Sequence, residues 1–174
     1  MAQVTRETLE HLKRWEGLRL EAYPDPGSRN GEPWTIGYGH TSDSFMRVYR
    51  GQVISRDQAE KALLHDAKEA AQLITSLVQV PLSDSQLGVL ISFVFNIGGT
   101  AFRNSTLLRK LNLRDYDAVP SELARWNRND GRVMPGLTAR RKAEAILWST
   151  PTVHVAPAPT GFWAWLLNLL KGNR

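Results

Sequence analysis

The sequence contains no cysteine, which excludes disulfides and thiolate-ligated metals and leaves packing and hydrogen bonds to hold the fold. That absence fits synthesis in a reducing compartment. No stretch reaches the ~20 apolar residues of a membrane span, and residues 1–11 lack the basic start and apolar run of a secretory signal. Histidine is scarce. The four, at positions 11, 40, 65 and 154, show no close ligand pairing, so a zinc amidase has little support and no metal or other cofactor is expected. No internal repeat or low-complexity segment precedes residue 150.

What remains is ordinary globular composition: 174 residues, 42% hydrophobic and 22% charged, enough for one compact domain with a sizeable core. The net charge of +5 is unevenly distributed. Residues 1–100 carry 10 Lys+Arg against 12 Asp+Glu, a balance of −2, and residues 101–174 carry 12 against 5, a balance of +7. A basic half of this kind attracts polyanions, whether nucleic acid, anionic lipid or an acidic cell-wall polymer.

Thr5 is a suitable N-cap, and Val4 and Leu9 form a hydrophobic staple for a helix reaching Trp15 or Glu16. Glu16 follows Leu12 by four and Leu9 by seven, so helical periodicity turns its carboxyl toward the protein body, among apolar groups that favour the protonated form. Gly17 ends the helix. Leu18 to Tyr23 alternates as a half-buried strand, with Leu18, Leu20 and Ala22 on one face. Pro24-Asp25-Pro26-Gly27 is a turn, Ser28 to Pro33 a polar loop, and Trp34 to Tyr38 a second strand. A small antiparallel hairpin or sheet with Asp25 and Thr35 near one end is expected.

From Ser55 onward the pattern is helical. Capping boxes at Ser55/Gln58 and Ser83/Gln86 open a long helix to about Val78, suited to joining two lobes, and a buried helix stopped by Gly98-Gly99. Further helices are expected near Ser105–Leu111, Val119–Trp126 and Leu137–Trp148, with a turn at Asn127–Gly131. The fold class is α+β: a small antiparallel β lobe joined by a long helix to a mostly helical lobe.

An inward Glu and a turn-borne Asp can titrate apart, as glycoside hydrolysis requires: one group protonates the leaving oxygen, and the other acts as nucleophile, base or electrostatic partner. Trp15 to Tyr23 followed by Asp25, then Trp34-Thr35-Ile36-Gly37-Tyr38-Gly39-His40-Thr41, resembles the active-site signature of phage endolysins of the T4-lysozyme type, glycoside hydrolase family 24. Phe93 to Gly98 resembles that family's buried helix and its following turn. Met134 to Glu144 resembles the Pro-Gly-Leu-x-x-Arg-Arg-x-x-Glu segment of its lambdoid branch.

The resemblance spans roughly residues 5–148. It implies a lysozyme-like fold and cleavage of the β-1,4 bond between N-acetylmuramic acid and N-acetylglucosamine in peptidoglycan. By that resemblance Glu16 is the general acid, Asp25 the carboxylate that activates water or stabilises the transition state, and Thr35 a water-orienting hydroxyl. Nine residues separate Asp25 from Thr35 where the common pattern has five, and the longer Ser28 to Pro33 loop absorbs the difference. His40 and Asn96 are expected beside the cleft, His40 as a structural histidine more readily than as a proton carrier. Arg140 and Arg141 read as a solvated helix face or as partners for a peptide carboxylate.

The same resemblance implies a partner in peptidoglycan and none in nucleic acid, with the protein waiting in the host cytoplasm for a holin to release it to the wall. A lytic transglycosylase acting on the same bond is the enzymatic alternative. Residues 1–150 form the expected catalytic domain and 151–160 a Pro-rich linker. Residues 161–174 form an apolar helix with a narrow Gly161, Ala164, Asn168 and Lys171 stripe, which docks on the body, on another chain or on an anionic membrane. A wall-binding protein that kills by disrupting membranes through this tail is the alternative from a different class.

Overall fold

The computed structural model describes residues 3–24 and 32–150. Asp25, most of its turn and loop, and the linker and tail at 151–174 lie outside the described residues. Helix α1 (Arg6–Glu16) starts where Thr5 accepts the Thr8 N–H at 3.2 Å, and it ends at Gly17, whose φ of 70° suits glycine. Strands β1 (Arg19–Pro24), β2 (Trp34–Gly37) and β3 (His40–Thr41) form an antiparallel sheet in that order, one strand more than the sequence reading. A register shift between Arg19 and Tyr23 breaks the expected alternation of β1. Leu20 is consequently exposed, and only Ala22 faces the core. The free edge of β1 is covered by backbone bonds from Ala22 N to Gln52 O and from Ile54 N to Leu20 O, each 2.9 Å.

Helix α2 (Arg56–Leu77) has the expected capping box: Gln58 N donates to Ser55 Oγ at 3.2 Å, and Ser55 N donates to Gln58 Oε1 at 2.8 Å. At ~1.5 Å per residue its 22 residues span roughly 33 Å, enough to join the sheet to the helical lobe. Small residues set the close approach at the sheet end, where Gly37 sits at φ +68° and a Cβ there would lie 3.3 Å from Ala59 Cβ. Further along, His40 Nδ1 lies 2.9 Å from Asp66 Oδ1, pinning β3 to α2. At the far end Asn112 donates to Leu77 O and accepts from Gln79 N, both at 2.9 Å, satisfying groups the helix terminus leaves open.

The second lobe surrounds α3 (Asp84–Ile97), which is buried continuously from Leu87 to Val94 and opens on the Ser83/Gln86 box. Around it lie α4 (Gly99–Arg103), α5 (Thr106–Asn112), a single 3₁₀ turn at Tyr116–Ala118, α6 (Val119–Ala124) and α7 (Pro135–Ser149). The turn at Asn127–Gly131 is the tip of a two-residue ladder, β4 (Arg128–Asn129) with β5 (Arg132–Val133).

Between α3 and α7 lies a charged core that overturns the solvated-face reading of Arg140 and Arg141. Both arginines are almost fully buried, and Glu144 one turn further along has no exposure at all. Glu144 Oε1 accepts Ser92 Oγ–H at 2.7 Å, Arg141 Nη2 at 3.0 Å and Arg140 Nε at 3.3 Å. Arg140 Nη2 also donates to Ser92 O at 2.9 Å. The Arg141 guanidinium lies over the Phe93 ring, 5.0 Å from its centroid. Burial pulls Arg141 down to about 10, still protonated at neutral pH, and burial pushes Glu144 up against the opposing pull of Arg141, Ser92 and Arg140.

Glu144→Gln leaves two buried guanidiniums without their shared counter-charge, and denaturant unfolding is expected to lose about 3–5 kcal/mol. For His40, burial alone lowers the pKa, but the Asp66 hydrogen bond and charge, the Met46 carbonyl and Asp43 outweigh it and raise it above the ordinary value. A raised folded-state pKa contributes stability that is complete below the unfolded value of about 6.5 and is lost as pH climbs through the folded value. Asp66→Asn should therefore destabilise the protein more near about pH 5.5 than near about pH 8.5 in denaturant unfolding; equal losses at both would show that the charge contributes nothing.

Candidate active site

Glu16 is the last residue of α1, and its position follows from the stripe that buries Leu12 completely. Its side chain is 18% exposed and borders a cleft of ≈ 660 Å³ between the end of α1, the end of α3, the β4–β5 hairpin and the start of α7. The apolar surroundings expected from periodicity are only half the picture. Arg140 Nη2 lies 2.7 Å from Glu16 Oε1, a close charge contact off the hydrogen-bonding axis, because the hydrogens of that nitrogen are directed to Ser92. The buried Glu144 network thus fixes the guanidinium, and the guanidinium fixes the acid.

Trp15 and Trp126 give the cleft aromatic walls, and Asn96, Asn129 and Arg128 supply hydrogen-bonding groups around Glu16. Aromatic surface with a few convergent polar groups is the composition of a small-molecule or saccharide site. Asn96 is held in place as it accepts from Arg141 Nη2 at 3.2 Å. Arg141 itself faces Glu144 and Phe93 inside the lobe, so its contribution to the cleft passes through Asn96, while Arg140 lines the cleft directly. Behind α1, His11 is lowered to about 4 by burial and by the charges of Arg140, Arg14 and Arg141, which leaves it neutral at physiological pH.

Thr35 is buried in β2, paired across the sheet with Tyr23 on one side and Thr41 on the other. Its partner Tyr23 stands two residues before Asp25 in sequence. His40 is buried, with Nδ1 on Asp66 and Nε2 3.3 Å from Met46 O. It still forms part of a second opening of ≈ 490 Å³, shared with Gly39, Asp66, Phe95 and Gly98 on the other side of the end of α3. A larger groove of ≈ 1020 Å³ lies between Gln3, Val4 and the outer face of α2, but no carboxylate lines it, so it lacks the acid that glycoside hydrolysis requires.

Sequence reasoning missed Trp126, Asn129 and Met134 as cleft residues, since the Asn-Asp-Gly signal announces a turn without saying what the turn faces. It also missed Ser92 and Glu144. The available signal was the Glu144 spacing, three and four residues after the two arginines.

Known proteins resemble this chain in sequence and in fold. The phage lysozyme family model matches residues 13–144. An endolysin of Acyrthosiphon pisum secondary endosymbiont phage 1 is 40% identical over 151 residues, 84% of this chain and 98% of its own length. The muramidase domain of SpmX from Asticaccaulis excentricus superposes with a TM-score of 0.77 at 32% identity, covering 87% of this chain and all of that one. A P22 lysozyme variant gives 0.73 at 35% identity, with 86% and 100% covered. The cleft around Glu16 is built within the matched span, and the chain belongs to the phage lysozyme family.

Proposed function

We propose that this phage lysozyme hydrolyses the β-1,4 bond between N-acetylmuramic acid and N-acetylglucosamine of peptidoglycan with Glu16 as general acid. Glu16 delivers its proton to the glycosidic oxygen as the bond to the anomeric carbon breaks. Asp25 stabilises the positive charge that develops on the sugar or takes a proton from the incoming water, and Thr35 orients that water. The single observation that carries the reading is Glu16 on the lip of an aromatic and polar cleft, braced at 2.7 Å by Arg140. Asn96 is the proposed first contact for the glycan or its peptide; Arg140 borders the same cleft while bracing Glu16, and Arg141 assists by holding Asn96. His40 shapes the neighbouring opening.

The excess of basic residues after position 100 supports approach to an anionic wall. Among the described residues no helix is long and apolar enough to cross a membrane. Waiting in the host cytoplasm for a holin, and an anionic-membrane contact by residues 161–174, are further parts of the proposal and rest on the resemblance and on the tail's composition.

Purified peptidoglycan digested by wild type should yield reducing-end muropeptides by mass spectrometry, whereas anhydro products would convert the reading to transglycosylation. Glu16→Gln and Asp25→Asn should each fold normally and lose at least ~100-fold in turnover, the scale of one acid–base group. Wild-type turnover in either variant would falsify that residue's role.

A further inference from the structure

Outside the Glu16 cleft, an imidazole and three carboxylates converge where the loop after β3 meets α2. Asp43 Oδ2 lies 3.0 Å from His65 Nε2, Glu69 Oε1 lies 3.5 Å from the same nitrogen, and one donor atom from each of Asp43, His65, Asp66 and Glu69 lies within 4.8 Å of the others. We propose that this group is a binding site for a divalent transition-metal ion of the zinc type.

Distance is the first argument. Two ligands at about 2.0–2.2 Å from a tetrahedral ion stand roughly 3.3–3.5 Å apart. The two measured separations bracket that edge, and 3.5 Å is too long for Glu69 to act as a simple hydrogen-bond partner of His65. Helix geometry contributes the pair at positions 65 and 69, one turn apart on the same face of α2.

Orientation is the second. Asp43 Oδ1 accepts the backbone N–H of Phe45 at 2.8 Å and of Met46 at 2.9 Å, which directs Oδ2 at the imidazole. The Phe45 ring stacks on His65, with centroids 4.5 Å apart and planes 14° apart, and so sets the plane of the ligating ring. Asp66 is oriented by His40 Nδ1, which lies 2.9 Å from Oδ1 and 3.0 Å from Oδ2, the kind of outer partner that positions a ligand.

Charge is the third and is independent of both. Among the described residues, the ion pairs of Asp43, Asp66 and Glu69 are all with histidines, and no lysine or arginine neutralises them. Three carboxylates facing one or two imidazoles leave a net negative cluster that a dication balances. An ammonium group would need only the carboxylates; the imidazole nitrogen among them selects a transition metal over calcium or magnesium. A bound ion would tie the loop at Asp43 to α2 at the rim of the opening beside Phe95. It takes no part in the chemistry assigned to Glu16, so the two readings stand or fall separately.

The test uses the untagged full-length protein in metal-free buffer, titrated with Zn²⁺ by calorimetry and with Co²⁺ by visible absorption. One equivalent is expected to bind in the micromolar range, with a cobalt ligand-field band and a raised melting temperature. His65→Ala and, separately, Glu69→Gln should each weaken binding by at least about tenfold and abolish the thermal gain. With chelator present, His65→Ala should retain wild-type peptidoglycan hydrolysis, which certifies its fold; if that variant does not fold, Glu69→Gln decides alone. Absence of saturable binding below about 1 mM Zn²⁺ overturns the proposal. So does an isotherm unchanged in the folded variants, which would place the ion at other groups.

Discussion

Everything about the Glu16 cleft depends on one buried carboxylate. Glu144 sits with no solvent exposure between two arginines, and its cost of burial is met only because Ser92, Arg140 and Arg141 all direct hydrogen-bond donors at Oε1. Glu16 adds a second carboxyl beside Arg140, so two acids and two guanidiniums form one compact cluster. The arrangement crosses three helices that are far apart in sequence. It fixes the angle of α1 against α7 through α3, and with it the direction in which Glu16 points.

The β lobe is attached by a different logic. At its junction with α2, contact distance is set by small residues, Gly37 against Ala59, and direction by ionic contacts, His40 to Asp66 and Asp43 to His65. A two-strand hairpin would be marginal by itself, and here β3 and the backbone of residues 52–54 extend the sheet on either side. Thr35 lies in the middle strand of this small sheet, its backbone flanked by a paired strand on each side.

Legibility in the sequence divided along the range of the interaction. Thr5, Ser55 and Ser83 announced helix starts because a cap is made within three residues, and the structure places α1, α2 and α3 where those caps require. Periodicity was enough to turn Glu16 inward. It could not identify Arg140 as the neighbour, because that contact joins residues 124 positions apart and no local pattern encodes it. The same limit explains the burial of Arg141, which looked like surface until Phe93 and Glu144 were placed beside it. The alternation of β1 misled for another reason: a shift of pairing between Arg19 and Tyr23 moves Leu20 out of the core without altering the sequence signal.

Those buried pairs also change what the charge balance means. The sequence assigns 12 cations to residues 101–174, yet Arg140 and Arg141 are enclosed with acids, and Lys110 and Arg125 both bind the buried Glu122 at 2.7 and 3.0 Å. Glu122 is correspondingly lowered to about 2, chiefly by the Lys110 and Thr106 hydrogen bonds. These cations serve the interior or are locally compensated, and a long-range attraction to an anionic polymer must come from others. Arg128 and Arg132 are exposed on the two strands of the β4–β5 hairpin, and Arg128 lines the cleft itself. The basic half of the chain therefore does two separate jobs: buried arginines brace the acid, and hairpin arginines present positive charge where a glycan would enter.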